Sequence, residues 1–546
     1  MSASSSSGEA TAAAGPAPAG SVPATTAAPS TSTTAAKPDV AVEDLGTVDG
    51  PHIHQSRFSF IAIVGLAFAI LNSWVAMSAS LNLALPSGGP VAVLWGLIIS
   101  ALGVMAIAAS LAEICAVLPS TGGPYHWAFA LAPKKHQVGL AYFAGWITAG
   151  GWVALTATAS SLGASFITGI ISLMHPTFEV QPYQTFLLYV AFALGGWAVN
   201  VFGAKILDVC NRAALFWSLT GALCTIIVCL ATASPTFRTG KDVFGTYVNT
   251  TGWGNFVAFM LGLLQSTFGL VGVDGATHMV AEMPRAHVNA PRAMLLAPAI
   301  GALTSWIVLM SLLFSLRDYD AVTESSAGAL LAIIYQATAN MGGSVALIMF
   351  PVISMCFTAV GLLTASSRTS QALAADNGLP FPRFFASETP WVKVPVPAIT
   401  MNTVWVIIFG CVYLGSSSAL NAILSASVVL LQFAYAIPIL LLLVRGRHLL
   451  DEVAFHEGPR HFNLGKFGYP IGAWAVFFAL FTDVFFLFPP ERPVTGTNMN
   501  YTVVAVAVVL ILAALSWIFH GRKHYRGPVN LDLALEVARR GLTRRR

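Results

Sequence analysis

A long stretch without charge is the feature that most limits what this chain can fold into. Between Phe58 and Ala112 the sequence contains no Lys, Arg, Asp or Glu. That length accommodates two membrane-spanning helices of roughly 20 to 25 residues each. In hydrocarbon every backbone N–H and C=O must be paired within the protein, so spans of this kind form helices or a closed barrel. The runs are too long and too uniformly apolar for barrel strands, which alternate over about 10 residues.

The composition of the whole chain agrees with a protein that lives in a membrane. Of its 546 residues 56% are hydrophobic and 9% are charged, whereas a soluble domain is about a quarter charged. We therefore predict an all-α polytopic membrane protein with twelve transmembrane helices. Their predicted positions are about 58–84, 90–118, 137–172, 184–204, 211–233, 254–281, 293–316, 343–372, 397–415, 418–444, 467–489 and 500–520.

The distribution of basic residues predicts the orientation. If both termini are cytoplasmic, all but four of the 27 Lys and Arg residues fall in cytoplasmic segments. The four exceptions are Arg238, Lys241, Arg317 and Arg492. This asymmetry is what the positive-inside rule requires. We predict an integral protein of the plasma membrane, with the vacuolar membrane as the alternative and membrane lipid as a partner. Because the basic residues are scattered between apolar runs, we expect no nucleic-acid partner.

The ends of the chain differ from its middle. Residues 1–56 are rich in Ala, Ser, Thr, Pro and Gly and are predicted to be a disordered cytoplasmic tail. The twelve-helix domain covers 57–520, and 521–546 is a basic cytoplasmic tail. The six cysteines form no CxxC pair, so neither a metal site nor a cofactor is expected. Asn249 opens an NTT sequon in an outer loop and is a candidate glycosylation site, the alternative being a chance match.

Two of the predicted spans are interrupted. The first carries Asn72, Ser73 and Trp74 at its middle, and the sixth reads LLQSTFGLVGVDGATHMVAEMP over 263–284. Polar and small residues also allow transmembrane helices to pack closely. Helix packing is therefore the alternative interpretation of these residues in the first span. The two spans lie five helices apart and enter from opposite sides, which is the pattern of two inverted five-helix repeats with helices 1 and 6 broken. Broken helices of this kind meet at the bilayer midplane and form the substrate site. The predicted binding residues are Asn72, Ser73, Trp74, Phe268, Gly269 and Leu270.

Several segments also carry a family resemblance. They are NSW followed by SGGP at 87–90, SLAEICAVLPSTGGPYHW at 110–127, GVDGATHMVAEM at 272–283, NAPRAM at 289–294 and FPPERPVTGTNMNY at 488–501. Over about residues 57 to 526 the chain resembles the amino acid–polyamine–organocation superfamily, and within it the fungal choline and GABA permeases. The resemblance implies a LeuT-like fold. One departure is ALAADNGLP at 372–380, where Ala375 stands in place of the Arg that the family usually has.

Carboxylates within or beside the spans are candidates for gating. A carboxylate at membrane depth is functional by default, so Asp274 is a candidate either to bind a substrate ammonium or to take up a proton. The resemblance places Asp274 after the unwound segment, which suits a gate or proton coupling better than direct contact with the substrate. The alternative is a structural hydrogen bond, for which His278 at i+4 is a candidate partner. Glu113 is expected to pair with a basic loop residue as part of an inner gate. Glu282 is expected to form an ion-pair cluster with two nearby arginines, Arg285 and Arg292.

Aromatic residues near the breaks suggest the class of substrate. Quaternary ammonium groups are held by aromatic faces, each worth about 0.5 to 2 kcal/mol. Trp74 and Phe268 lie in the interrupted segments, and Trp146 and Trp152 of span three are candidate contacts with packing as their alternative.

From these residues and the resemblance we predict a secondary active permease. It imports a small amine, such as choline, GABA or another amino acid, by alternating access in symport with protons. The alternatives are a membrane nutrient sensor that binds without transporting, and the same carrier fold acting on polyamines. An enzyme is not expected, because the spans hold only isolated His278 and Asp274.

Overall fold

The computed structural model describes residues 60–414, 419–454, 460–496, 498–529 and 531. The predicted N-terminal tail, 1–56, lies outside the described residues, as do residues 532–546 of the predicted C-terminal tail. Both domain boundaries therefore stay predictions.

The described residues form an all-helical structure. Its α-helices are α1 Phe60–Leu71, α2 Ser73–Ala79, α3 Leu81–Ala84, α4 Gly89–Val117, α5 Pro124–Leu131, α6 Gln137–Met174, α7 Pro182–Phe202, α8 Leu207–Ala233, α9 Gly240–Gly245, α10 Asn255–Phe268, α11 Ala286–Ser315, α12 Tyr319–Thr323, α13 Ala329–Thr338, α14 Met341–Ala375, α15 Pro382–Phe385, α16 Val396–Gly410, α17 Ala419–Arg445, α18 Leu449–Glu452, α19 Gly468–Phe486, α20 Thr502–Ser516 and α21 Arg522–His524.

Several of these helices, alone or joined to a neighbouring helix, are long enough to cross a membrane. Eleven described helical segments are sufficiently long and apolar to do so, the first being α1 and α2 taken together over Phe60–Ala79. The sixth predicted span is different, because its helix α10 has only 14 residues and a span needs about 20. The chain continues beyond α10 as irregular backbone. The predicted fold class, an all-α polytopic membrane protein, is confirmed.

The sixth and seventh spans differ from the predicted bounds. We predicted a sixth span over 254–281, but α10 ends at Phe268 and the chain then runs without α-helix to a 3-10 turn, Thr277–Glu282. The segment contains three glycines and Asp274, which are poor helix formers. The next helix begins at Ala286 rather than at 293.

The packing of the helices places the two interrupted spans at the centre. The helix α1 packs against α8, α11 and α14, while α10 packs against α4 and α17. The longest helix, α6, packs against α14 and α17. The breaks are therefore surrounded by protein on several sides, which is where non-helical backbone is tolerated at membrane depth.

The bundle has two ends, a basic face and an opposite face. The basic face carries the connections 118–136, 203–206, 376–395 and 446–467, and the opposite face carries 175–181, 234–254, 316–328 and 487–501. The predicted orientation puts the basic face in the cytoplasm.

Candidate functional site

The first span breaks at a single residue. Asn72 has φ 38° and lies in the left-handed region between α1 and α2, a conformation that Asn adopts more readily than most residues. Its side chain is buried and bridges two other helices. The amide nitrogen donates to Thr358 Oγ1 at 3.0 Å, and the amide oxygen accepts from Ser218 Oγ at 3.0 Å. Asn72 therefore ties the break to α8 and α14.

The two residues after Asn72 point to neighbouring helices. The indole N–H of Trp74 donates to Ser218 O at 3.0 Å and to Ser218 Oγ at 2.8 Å, so the ring lies against α8. Ser73 packs against α11, where a Cβ on Gly301 would lie 2.2 Å from Ser73 Oγ. The Ser73 hydroxyl is buried and has no hydrogen-bond partner among the described residues.

The sixth span unwinds after Phe268. Gly272 has φ 96°, a conformation that favours glycine because other residues clash there. The unwound segment packs closely on the first span: a Cβ at Gly269 would lie 2.5 Å from Met77, and one at Gly275 would lie 2.8 Å from Ile70. The two interrupted spans are therefore in direct contact, as the sequence predicts.

A small cavity lies between the two interrupted spans. Its volume is about 10 Å³, which is the space that one water molecule needs. Of the six predicted binding residues, Phe268 lines this cavity, whereas Asn72, Ser73, Trp74, Gly269 and Leu270 do not. The complete lining is Ile70, Leu71, Ala76, Leu155, Thr158, Ala159, Leu162, Phe268, Val271, Met355, Thr358 and Leu362.

Asp274 lies three residues after Val271, which lines this cavity, and takes part in a dense group of hydrogen bonds. The carboxylate is fully buried. Its Oδ1 accepts from the hydroxyl of Tyr435 on α17. Its Oδ2 lies 3.0 Å from His278 Nε2 and 3.4 Å from Trp152 Nε1. The Trp152 indole also meets the His278 ring edge-on, with centroids 5.2 Å apart. Protein donors thus surround both oxygens.

The two ring nitrogens of His278 determine how many protons this group holds. Nδ1 lies 2.7 Å from Thr121 O, and a carbonyl oxygen can only accept, so Nδ1 carries a hydrogen. Nε2 faces Asp274 Oδ2, and one of these two atoms must also supply a hydrogen. The Asp274–His278 pair, with both hydrogen bonds formed, therefore holds one proton more than an ionised carboxylate beside a neutral imidazole. That proton resides on either His278 or Asp274. Asp274 and His278 thus form a buried hydrogen-bonded pair at the break of span six.

Two buried or partly buried ion pairs lie towards the basic face. Glu113, fully buried on α4, pairs with Arg447 and also accepts from Leu464 N at 3.1 Å. This arrangement matches the expectation of a basic loop partner for Glu113.

The partner of Glu282 differs from the expected one. Its Oε1 lies 3.2 Å from both Nε and Nη2 of Arg368 on α14. Neither Arg285 nor Arg292 lies within ion-pair distance of a described carboxylate. We expected this cluster because the two arginines are close to Glu282 in the sequence. Arg285, however, has a left-handed backbone conformation at the start of α11, so closeness in sequence does not bring its side chain to Glu282.

A second buried histidine group was missed from the sequence. His126 Nε2 lies 2.8 Å from Asp376 Oδ2, and the hydroxyl of Tyr125 donates to the same oxygen at 2.9 Å. Val529 N donates to Asp376 Oδ1 at 2.9 Å. Asp376 follows Ala375, the position at which the sequence departs from the pattern of the family that it resembles. The partners lie about 150 to 250 residues apart, so no local signal could have joined them.

The opposite face contains a larger cavity, which we call the vestibule. Its volume is about 380 Å³. Leu264 lines it and lies one helical turn before Phe268 on α10, so the vestibule and the central cavity are about one turn apart. Its other lining residues are Asn82, Leu83, Pro86, Ser87, Thr250, Thr251, Leu261, Leu420, Asn421, Ser425, Phe486, Phe488, Pro490, Glu491, Asn498 and Asn500.

Comparison with known proteins assigns the family. A sequence model described as amino acid permease matches residues 58–512. The chain belongs to the amino acid permease family. The permease is 33% identical over 480 residues to the choline transporter of Saccharomyces cerevisiae, covering 87% of this chain and 83% of that one. It is 30% identical over 444 residues to a putative amino acid/polyamine transporter of Macrophomina phaseolina, covering 81% and 96%. A third relative, the 7-keto 8-aminopelargonic acid transporter of Saccharomyces cerevisiae, is 28% identical over 524 residues, covering 84% and 91%.

These findings confirm the predicted resemblance to the amino acid–polyamine–organocation superfamily. They also confirm that the chain is a transmembrane transporter rather than an enzyme. The permease therefore acts on a small molecule.

Two remaining candidates lie away from the central cavity. The indole N–H of Trp146 donates to Gly378 O at 3.1 Å, near the basic face. Asn249 lies in the connection before α10, where its amide nitrogen donates to Trp253 O at 2.8 Å and to Asn255 Oδ1 at 3.0 Å. Attachment of a glycan would replace one amide hydrogen and disturb these bonds. Glycosylation of Asn249 stays a prediction.

Proposed function

We propose that this permease imports a small quaternary amine of the choline type by alternating access, in symport with protons. The observation that carries the proposal is the contrast around the break of span six. The Asp274 carboxylate is enclosed by protein donors, whereas the cavity beside it has no charged side chain in its lining. We infer that the carboxylate holds a proton rather than the substrate. A cation in the cavity is held by the face of Phe268 and by hydroxyl and carbonyl dipoles.

The relative named choline transporter supports the substrate class. A quaternary ammonium has no N–H to donate and no carboxylate to satisfy, so an uncharged, partly aromatic lining suits it. The second candidate is an amino acid, because other relatives are named for amino acids, polyamines and 7-keto 8-aminopelargonic acid. An amino acid carboxylate needs free N–H groups at a broken helix.

The state of the two faces supports alternating access. The central cavity holds about one water molecule, so the helices around it must move before an amine fits. Towards the basic face the path is closed by Glu113 with Arg447, by Glu282 with Arg368, and by His278 with Thr121. Towards the opposite face the vestibule is open. With the predicted orientation, the vestibule receives the substrate from outside the cell.

The first experiment measures uptake of labelled choline and labelled GABA in yeast that lacks its own carriers for both. We expect choline to accumulate, and uncouplers or a rise in external pH to reduce its accumulation. Asp274→Asn removes the charge at similar size, so we expect accumulation to fall by at least about tenfold while exchange of internal for external choline persists. The control is Asp320→Asn, an exposed carboxylate on the opposite face.

Three outcomes contradict parts of this proposal. Accumulation of choline that is insensitive to uncouplers removes the proton symport. Uptake of GABA that other amino acids block, without choline uptake, moves the substrate to the amino acid class. If neither compound accumulates while the protein is at the cell surface, the sensor alternative gains support.

A further inference from the structure

A second buried carboxylate lies in α19, outside the site at the break of span six. Asp483 is 6% exposed and lies on the buried side of a helix that packs against α17, α4 and α10. Its Oδ2 has no hydrogen-bond partner among the described residues, and no described basic side chain lies within ion-pair distance of it. A charged carboxylate without a counter-ion at membrane depth is costly, so such a group tends to bind a proton.

Among the described residues, Gln432 is a polar neighbour of Asp483 Oδ1 that can serve both protonation states of the carboxyl. The Gln432 amide on α17 places one of its two terminal atoms 3.2 Å from Oδ1. With the amide nitrogen there, Gln432 donates to a carboxylate. With the amide oxygen there, Gln432 accepts a hydrogen from a protonated carboxyl. In the first orientation the amide nitrogen also lies 3.2 Å from Thr482 Oγ1 and from Ala479 O. In the second orientation the amide oxygen accepts from Thr482 Oγ1 at 3.2 Å.

The position of Asp483 gives it a short route to water. Phe486 lies one helical turn further along α19 and lines the vestibule. Ser425 on α17 also lines the vestibule, about two turns before Gln432. The carboxyl thus lies just below the floor of the open cavity.

The same neighbour connects Asp483 with the proton site at the centre. Gln432 and Tyr435 are three residues apart on α17, so their side chains leave the helix on similar sides. The Tyr435 hydroxyl donates to Asp274. The carboxyls of Asp483 and Asp274 therefore contact two side chains, Gln432 and Tyr435, that lie within one turn of α17.

Other titratable groups on the packed elements lie elsewhere. The helix α10 has none. On α4, Glu113 is held by Arg447 at the basic face, and on α17, Arg445 bonds to Leu131 O at that face. The remaining titratable groups on these helices are Cys115 of α4, Tyr435 of α17 and Tyr469 in the first turn of α19, and Lys466 lies just before α19.

We propose that Asp483 is a second proton-binding site of the permease, loaded from the vestibule and coupled through α17 to the Asp274–His278 pair. The proton adds to Asp483 when the vestibule is open to water and leaves as the hydrated proton, so no other reactant is needed. The inference rests on the proposed proton symport.

The test compares the pH dependence of choline uptake in wild type, Asp483→Asn and the control Asp320→Asn. The amide of Asn resembles a protonated carboxyl in size and can still meet Gln432. We expect uptake by wild type and by the control to fall as external pH rises. In Asp483→Asn we expect the ratio of uptake at low and high pH to approach about one. A variant profile that coincides with the wild-type profile overturns the proposal.

A second measurement does not depend on the substrate or on the variant reaching the membrane. Dicyclohexylcarbodiimide reacts with protonated carboxyl groups in apolar surroundings, and mass spectrometry locates the product on the purified wild-type chain. We expect modification of Asp483 that decreases as pH rises. Absence of modification at every pH overturns the proton site. Modification of Asp483 in a protein that accumulates no choline overturns the proposed substrate and leaves the proton site standing.

Discussion

At the scale of single residues, the structure distinguishes side chains at the break that line the cavity from those that hold the helices in place. Phe268 lines the central cavity. Trp74, its aromatic counterpart in the first span, donates instead to two oxygens of Ser218 on α8. The sequence marks both as aromatic residues at a break, and the difference lies in the direction in which each ring points.

Replacing Trp74 by Phe tests this distinction. Phe keeps an aromatic ring but has no N–H, so two buried acceptors lose their donor. We expect the free energy of unfolding to fall by about 1–3 kcal/mol, seen as a lower midpoint in thermal unfolding of the solubilised protein. The KM for choline should stay close to that of wild type.

The matched control is Trp405→Phe, whose ring is 40% exposed on α16 and whose loss should leave both quantities unchanged. A raised KM with an unchanged unfolding midpoint in Trp74→Phe would show that the ring contacts the substrate.

At the scale of elements, the two interrupted spans depend on close approach to their neighbours. Asn72 separates α1 from α2 by its left-handed backbone conformation, and Gly301 on α11 provides the space that Ser73 occupies. At Gly301 the nearest side-chain atom is part of the break itself, so this glycine sets how closely α11 can pack on it.

We expect Gly301→Ala to destabilise the permease. The new Cβ would lie 2.2 Å from Ser73 Oγ and 2.9 Å from Ser73 Cβ, and overpacking of this kind costs about 1–3 kcal/mol. The yield of monodisperse protein and its thermal midpoint measure the effect. Gly195→Ala on α7 is the control, because a Cβ there meets nothing within 4 Å. Equal midpoints for the two variants would mean that α11 can shift without cost.

At the scale of the whole molecule, the segment after α20 ties the C-terminal end to the basic face. The Tyr525 ring is buried and meets Tyr142 edge-on, with centroids 5.2 Å apart. Val529 N donates to Asp376, and Leu531 is fully buried. The segment thus contacts both α6, through Tyr142, and the end of α14, through Asp376.

We expect Tyr525→Ala to release this segment. Loss of a buried aromatic ring costs about 3–5 kcal/mol where it occurs in a core, so hydrogen exchange of residues 522–529 should speed up strongly. Phe519→Ala is the control, since that ring is 76% exposed. Unchanged exchange in Tyr525→Ala would show that Leu531 and Val529 hold the segment without the ring.

The same contact should also respond to alkaline pH. Burial raises the pKa of Tyr525 above its ordinary value of 10.0. The docked state therefore binds the phenolic proton more tightly than the released state does. The protonated phenol of Tyr525 therefore stabilises the docked segment fully below pH 10.0. This stabilisation is lost as pH rises from there through the pKa of the docked residue.

The sequence by itself determined the features that depend on neighbouring residues. Uncharged runs of sufficient length specify the spans, because unpaired backbone groups are excluded from hydrocarbon. Asn72 and the glycines from 269 to 275 specify the breaks, because they weaken the helix where they stand. The pairing of Asp274 with His278 also followed from a spacing of four residues.

Only the tertiary structure decided which distant groups meet. Tyr435 reaches Asp274 across 161 positions of the chain, and Arg368 rather than Arg285 reaches Glu282. Trp74 faces α8 instead of the cavity, and Asp483 lies beneath the vestibule. Each of these outcomes depends on how a helix is rotated about its axis and which helices lie next to it. That arrangement is set by side-chain packing over the whole bundle, and no local segment of the sequence records it.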